Sequence, residues 1–170
     1  MNTTLAQLNA ATPEAFIAAL GAIYEHSPWV AQNVLPLRPF ATEEALAEAM
    51  RQAVAAASDD AKLQLIRAHP QLAGKAAIAG ELTEHSTREQ SGAGLDRCTP
   101  EEYAQLTALN DAYQQKFGFP FIVAVRGHTR ASIIAAMAQR LGHEADAERA
   151  EALAQIDRIG GFRLRDLLGG

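Results

Sequence analysis

One helix-starting pattern occurs three times in this chain and constrains its fold more than any other feature. A threonine able to cap a helix is followed by residues favoured in a first helical turn at Thr12-Pro13-Glu14, Thr42-Glu43-Glu44 and Thr99-Pro100-Glu101. After each, apolar residues recur at three- and four-residue steps, the period of a helix with one buried face. A chain that starts helices at such separated points is expected to be mainly helical.

Prolines, glycines and caps set the predicted helix boundaries. Pro70 disfavours helix at the residue before it, so the helix that begins at Asp59 must stop near His69. Gly118 is placed to end the helix that begins after Thr99. His26-Ser27-Pro28-Trp29 should break the first helix, and Pro36 and Pro39 should hold Val34 to Phe40 extended or turned. We expect helices over about 13–25, 43–58, 59–69, 100–117, 130–141 and 145–168, with a bend in the last at Gly160-Gly161.

Only one run of the sequence looks like a strand. It is Phe119 to Val125, and a lone strand has no partner with which to form a sheet. We therefore interpret it as a buried extended segment or the start of a helix. The expected fold is all-α, a single compact domain of about six to eight helices covering residues 1–170. Abundant alanine and only 6% aromatic residues favour helices packed closely through small side chains.

Charge and cysteine content exclude several classes of protein. The formal net charge is -5 and no block of lysine and arginine occurs, so we expect no nucleic-acid partner. No run of 18 apolar residues is present, so we expect no membrane partner. Cys98 is the single cysteine and no secretory signal pattern opens the sequence, which together favour a reducing compartment and predict a cytoplasmic protein.

Two segments carry residues suited to acid–base chemistry. His69 is held between a helix end and Pro70, which would fix its imidazole, although a histidine there can also simply cap the helix. The polar segment from Glu84 to Ser91 lacks any large apolar residue; its Ser86-x-x-Glu89 spacing also fits a capping box. His85 and Glu89 lie four residues apart, but a third ligand is missing, so no metal is expected.

The third segment of interest is the apolar run before Arg126. Such a run can form a dry wall beside an anion anchor, yet most runs of this kind are core. Arg163 and Arg165 lie near the end of the chain, where arginines often satisfy terminal carbonyls. Before any family resemblance is considered, these residues therefore predict a helical protein with a pocket lined by His69, Glu89 and an arginine.

Read together, the three segments resemble one enzyme family. The motifs are His69-Pro70-Gln71-Leu72-Ala73-Gly74-Lys75, Ser86-Thr87-Arg88-Glu89-Gln90 leading to Gly92-Ala93-Gly94-Leu95, and Phe117-Gly118-Phe119-Pro120-Phe121-Ile122. In this order and spacing they are similar to the 2-oxo-4-hydroxy-4-carboxy-5-ureidoimidazoline (OHCU) decarboxylases of urate breakdown. The resemblance implies an all-helical lyase without cofactor or metal, usually a homodimer, that converts OHCU to S-allantoin.

The resemblance also implies roles for individual residues. His69 matches the family's catalytic histidine and Glu89 its partner carboxylate. Substrate contacts are implied for Pro70, Ser86, Thr87, Arg88, Glu89, Gln90, Phe121, Ile122, Val123, Ala124, Val125 and Arg163. Two alternatives stay open: a lyase or hydrolase that uses the same histidine and glutamate on a related ureido-heterocycle, and a non-catalytic helical ligand-binding protein.

Overall fold

The computed structural model describes residues 2–169, and within that range it contains ten α-helices and no β-strand. The predicted all-α fold is confirmed. The helices are α1 Leu5–Ala10, α2 Pro13–Leu20, α3 Trp29–Val34, α4 Glu43–Ala55, α5 Asp59–Arg67, α6 Lys75–Ile78, α7 Glu84–Gly92, α8 Pro100–Phe117, α9 Arg130–Arg140 and α10 Ala145–Leu167.

The predicted caps form as expected. The hydroxyl oxygens of Thr12, Thr42 and Thr99 accept hydrogen bonds from backbone N–H groups three residues on. Thr129 caps α9 in the same way. Thr99 and Glu102 complete a reciprocal capping box at the start of α8. Gly118 ends that helix with φ of 78°, a left-handed conformation that glycine adopts at little cost.

Among the described residues the structure adds four helices to the six whose ranges were predicted. One is α7 in the polar segment; the others are α1, α3 and α6, each of four to six residues and too short for the apolar period to reveal them. The predicted helix at residues 13–25 ends earlier, at Leu20, and turns follow up to Ser27. α10 continues through Gly160-Gly161, where a side chain on Gly160 would come 3.1 Å from the Tyr24 ring.

The capping box that the Ser86-x-x-Glu89 spacing would also allow does not form. α7 begins at Glu84, and its cap is Thr83, whose hydroxyl oxygen accepts from the backbone N–H of Ser86. Ser86 therefore lies inside the helix. With this start, Glu89 and Gln90 both lie about one helical turn after Ser86 and neighbour it on the helix surface.

The chain divides into two compact units, and the prediction of a single domain stays a prediction. One unit runs up to Ala68 and resumes at Asp157, and the other comprises His69–Ile156. Buried apolar side chains of the first include Phe16, Leu20, Leu46, Met50, Val54 and Ile66, and those of the second include Leu106, Tyr113, Phe121, Ile133 and Met137. The strand-like run Phe119 to Val125 belongs to the second unit, where it is buried and is neither helix nor strand.

Candidate active site

His69, the predicted catalytic histidine, is buried. It lies two residues after Arg67, the last residue of α5, and only 7% of it is exposed. Pro70 follows it and is partly buried. Because a proline fixes its own φ and restricts the preceding residue, the backbone at His69 has little freedom.

The loop after His69-Pro70 is held by two amide side chains from neighbouring helices. Gln90 on α7 accepts from the backbone N–H of Ala73 at 2.9 Å and donates to the carbonyl of Gln71 at 3.3 Å. Asn110 on α8 donates to the carbonyl of Leu72 at 2.9 Å. Ala73 adopts φ of 51°, which is strained for a residue with a side chain. These hydrogen bonds hold the strained loop in place.

The five predicted contacts on α7 do not share one face. Ser86 and Gln90 are buried and Glu89 is partly buried, so these three lie toward the interior side of the helix. Thr87 and Arg88 are exposed; the Thr87 hydroxyl donates to the carbonyl of Thr83 at 2.9 Å. The arrangement favours a substrate role for Ser86 and Glu89 more than for Thr87 and Arg88, and all five remain predictions.

The segment Phe121–Val125 forms a buried apolar wall whose main chain is bound by two side chains. Arg140 Nη1 donates to the carbonyl of Ile122 at 2.6 Å, and Gln155 Oε1 accepts from the N–H of Ala124 at 3.0 Å. The Phe121 ring meets Tyr113 edge-on, with centroids 5.4 Å apart. All five predicted contacts of this segment are buried, including Val123 and Val125.

Glu148 anchors this wall through Arg140. Its Oε1 accepts from Arg140 Nε and from the Tyr113 hydroxyl, each at 2.6 Å, and its Oε2 lies 3.0 Å from His143 Nδ1. Burial and the hydrogen bond to Glu148 raise the pKa of the Tyr113 phenol, so the phenol stays a donor. Arg140 also lies over the Phe121 ring, with 4.4 Å between Cζ and the centroid.

Arg163 lies in the other unit, where it is ion-paired. Its Nη2 donates to Glu25 Oε2 at 2.8 Å and its Nη1 to the carbonyl of Ala22 at 3.3 Å. Both charged side chains are buried. A predicted substrate contact at Arg163 therefore involves an arginine already paired with a carboxylate.

Sequence reasoning missed the polar residues that support these segments. They are Asn110, Arg140, Glu148 and Gln155, and the first three are buried. A signal was available, because Asn110 falls between Leu106 and Tyr113 in the apolar stripe of α8. Arg140 likewise continues the stripe of Ile133 and Met137 in α9. A polar residue at a stripe position is expected to be buried and hydrogen-bonded.

The structure also contains a groove that the sequence did not predict. It encloses about 570 Å³ within the second unit and has apolar walls, with Thr87 and Gln90 among its lining residues. Cys98 lines it too, and burial is the main cause that raises the pKa of this thiol. Among residues 2–169, no group of three or more His, Cys, Asp or Glu side chains is arranged to hold a metal ion, and no helix is long and apolar enough to cross a membrane.

The structure thus places a buried histidine, His69, before a loop that Gln90 and Asn110 hold, and a carboxylate, Glu89, on the same helix as Gln90, within an all-α fold. The family model for OHCU decarboxylase matches residues 9–165, and the chain belongs to that family.

Individual relatives and a solved structure agree with the family model. The OHCU decarboxylase of Halalkalicoccus jeotgali is 41% identical over 96% of this chain and 91% of its own length. That of Haloferax volcanii is 40% identical over 96% of this chain and 95% of its own. A crystal structure of (S)-allantoin synthase superposes with a TM-score of 0.79 at 31% identity, covering 98% of this chain and 54% of that one.

Proposed function

We propose that this protein is a carboxy-lyase that converts OHCU to S-allantoin in urate breakdown, with His69 and Glu89 as its catalytic pair. Family membership supports the reaction. The observation that carries the residue assignment is the hydrogen bonding of Gln90 to Gln71 and Ala73. It joins the loop that follows His69 to the helix that bears Glu89.

The substrate supplies its own electron sink. When the carboxylate leaves the ring carbon as carbon dioxide, the electron pair of the broken bond moves into the adjacent unsaturated imidazoline system. The resulting anion then takes up one proton to give allantoin. The protein's part is to orient the scissile bond, stabilise the developing negative charge and deliver the proton to one face.

His69 and Glu89 divide these tasks in the proposal. Glu89 accepts a hydrogen bond from the substrate hydroxyl or a ring N–H, which fixes the ring. His69 supplies or relays the proton, and delivery to a single face gives one enantiomer. The burial of His69 supports this role, because a proton donor screened from water keeps a defined orientation.

The remaining predicted contacts form the rest of the binding site. The apolar wall of Phe121, Ile122, Val123, Ala124 and Val125 excludes water and offers main-chain groups to the ring oxygens and nitrogens. On the side of His69 and Glu89 the proposed contacts are Pro70, Ser86 and Gln90, together with Thr87 and Arg88 at exposed positions of the same helix. Arg163 is the proposed partner of the substrate carboxylate.

We further propose that the active protein is a cytoplasmic homodimer that binds OHCU as its small-molecule partner. The single domain over residues 1–170 and the absence of cofactor, nucleic-acid and membrane partners belong to the same proposal. The single cysteine supports the compartment. The net charge of -5 supports the absence of a nucleic-acid partner. Analytical ultracentrifugation tests the homodimer, for which we expect a mass of twice the 18.2 kDa of one chain.

The reaction is tested by generating OHCU in situ from urate with two upstream enzymes and following circular dichroism. Addition of this protein is expected to accelerate the appearance of optically active S-allantoin. His69→Ala and Glu89→Gln should each lower turnover at least about 100-fold, the low end of general acid–base contributions. His128→Asn and Glu84→Gln are matched controls outside the proposed site and should retain activity.

The outcomes separate the alternatives. A rate no faster than spontaneous decay, from well-folded wild-type protein, would overturn the reaction. Wild-type rates in both the His69 and the Glu89 variants would overturn the catalytic pair and leave the reaction standing. Faster turnover of another ureido-heterocycle than of OHCU would favour the related-substrate alternative.

A further inference from the structure

The wall segment Phe121–Val125 has no side chain that can recognise a polar ring. Its five side chains are all apolar and all buried. A heterocycle that contacts this segment is therefore recognised by shape and by main-chain N–H and carbonyl groups. The placement of the main chain then decides how well the substrate binds.

This main chain is not held by a sheet. No residue between 2 and 169 is in a β-strand, so ladder hydrogen bonds do not fix the segment. Buried main-chain groups nevertheless require partners. Two side chains provide them at adjacent points: Arg140 at the carbonyl of Ile122 and Gln155 at the N–H of Ala124.

Each of these side chains is itself fixed. Arg140 is buried, bonded to Glu148 through Nε, and stacked over the Phe121 ring. Gln155 donates through Nε2 to Glu151 Oε1 at 2.9 Å, which leaves its carbonyl oxygen directed to Ala124. Arg140 and Gln155 therefore hold the wall through side chains with a defined orientation.

We propose that Arg140 and Gln155 are positioning residues of the decarboxylase site, which set the main chain of Phe121–Val125 for substrate binding. The inference rests on the proposed function, because it takes this segment as a wall of the substrate pocket. Neither residue is required to touch the substrate. Their loss should act on binding first, and so on KM more than on kcat.

Gln155 gives the sharpest test, because it lies only partly buried on α10 and its replacement leaves no buried charge. Gln155→Met keeps the length of the side chain and removes the acceptor for Ala124. We expect KM for OHCU to rise about tenfold, as for one lost hydrogen bond, with kcat changed less than threefold.

An exchange variant provides the matched control. Glu151→Gln/Gln155→Glu swaps the two side chains, so position 155 again offers an acceptor to Ala124 and position 151 an amide donor. We expect KM within threefold of the wild type. A Gln155→Met variant with wild-type KM, or an exchange variant as impaired as Gln155→Met, would overturn the role of Gln155.

Arg140 is tested by truncation and chemical rescue. Arg140→Ala removes the donor to Ile122 and leaves a cavity shaped for a guanidinium group. Added guanidinium ion at millimolar concentration is expected to lower the raised KM, whereas equal sodium chloride should not. If Arg140→Ala folds with unchanged KM, or if guanidinium stabilises it without changing KM, Arg140 is structural only.

Amide hydrogen exchange keeps this inference separate from the proposed function. Exchange at Ala124 should be at least tenfold faster in Gln155→Met than in the wild type, and unchanged in His69→Ala. That result with an inactive wild type would support the positioning role of Gln155 and overturn the proposed reaction. Unchanged exchange at Ala124 together with an active wild type would overturn the positioning role alone.

Discussion

Arg163 and Glu25 form a buried ion pair: Arg163 Nη2 donates to Glu25 Oε2 at 2.8 Å, and the side chains are 3% and 1% exposed. The two residues are 138 positions apart, and the pair ties α10 to the turns after α2. Two charges buried together are tolerated because each satisfies the other. Removal of either one leaves an uncompensated buried charge.

Arg163→Met should therefore destabilise the fold. The expected loss is about 3–5 kcal/mol of unfolding free energy, the usual cost of breaking a buried pair from one side. Urea unfolding followed by far-ultraviolet circular dichroism measures it. The double variant Glu25→Gln/Arg163→Met removes the orphaned carboxylate charge and should recover part of the loss.

The same two variants test the substrate role of Arg163. If Arg163 binds the substrate carboxylate, the stabilised double variant should still turn over OHCU slowly and with a raised KM. Wild-type kinetics in the double variant would show that Arg163 serves the fold alone. Arg165→Met is the control, because Arg165 is exposed and lies two residues further along α10. It should change neither the unfolding free energy nor the kinetics.

Asn110 holds the loop after His69 through its hydrogen bond to Leu72, so its loss is expected to lower both stability and activity. Asn110→Ala removes the donor to the Leu72 carbonyl and should cost about 1–3 kcal/mol, because a buried carbonyl is left without its partner. Loosening the loop after His69 should also lower kcat about tenfold. Steady-state kinetics and urea unfolding check the two effects, and Asp111→Ala, on the exposed side of α8, is the control.

A second substitution sharpens that test. The Oδ1 atom of Asn110 is buried and has no hydrogen-bond partner among the described residues. Asn110→Asp would place a carboxylate there and should be more destabilising than Asn110→Ala, since an unpaired buried charge costs more than a lost amide. Equal stability of the two variants would contradict the burial of this atom.

Tyr113 should contribute through its hydroxyl as well as its ring. Tyr113→Phe keeps the ring contacts with Phe117, Phe119 and Phe121 and removes the donor to Glu148. The expected loss is about 1.5–3 kcal/mol, the range for a hydrogen bond to a charged group. Tyr103→Phe, at an exposed position on the same helix, is the matched control and should change stability little.

Helix starts and ends could be predicted from the sequence, because they depend on residues that are close together along the chain. Threonine caps followed by proline or acids predicted the starts of α2, α4 and α8, and Gly118 predicted the end of α8. The catalytic roles of His69 and Glu89 come from the family's motifs and stay predictions. Short helices such as α6 escaped because four residues carry no measurable apolar period.

The supporting contacts depend on tertiary structure and could not be predicted from local patterns. Nothing near Gln90 in the sequence indicates that it binds Ala73, and nothing near Arg140 indicates the Ile122 carbonyl, 18 positions away. The pairing of Arg163 with Glu25 spans nearly the whole chain. Local propensity gives the elements, whereas the partners of buried polar groups depend on which elements pack together.

Glu102 should make the stability of the fold depend on pH on the acid side. The backbone N–H of Thr99 and the guanidinium of Arg130, each 2.9 Å from a carboxylate oxygen, hold the pKa of Glu102 below the ordinary value of 4.5. A lowered pKa in the folded state means that the unfolded chain binds the proton more readily. The stability that the Glu102 carboxylate contributes is therefore fully present above pH 4.5 and is lost as the pH falls through the folded-state pKa.

Glu102→Gln isolates that effect, because glutamine can still complete the capping box with Thr99. The difference in unfolding free energy between wild type and Glu102→Gln should be largest near neutral pH and shrink steadily below pH 4.5. Urea unfolding at closely spaced pH values measures it. Glu101→Gln, in the same exposed first turn, is the control. A difference that stays constant from neutral to acid pH would mean that the carboxylate charge is not what Thr99 and Arg130 stabilise.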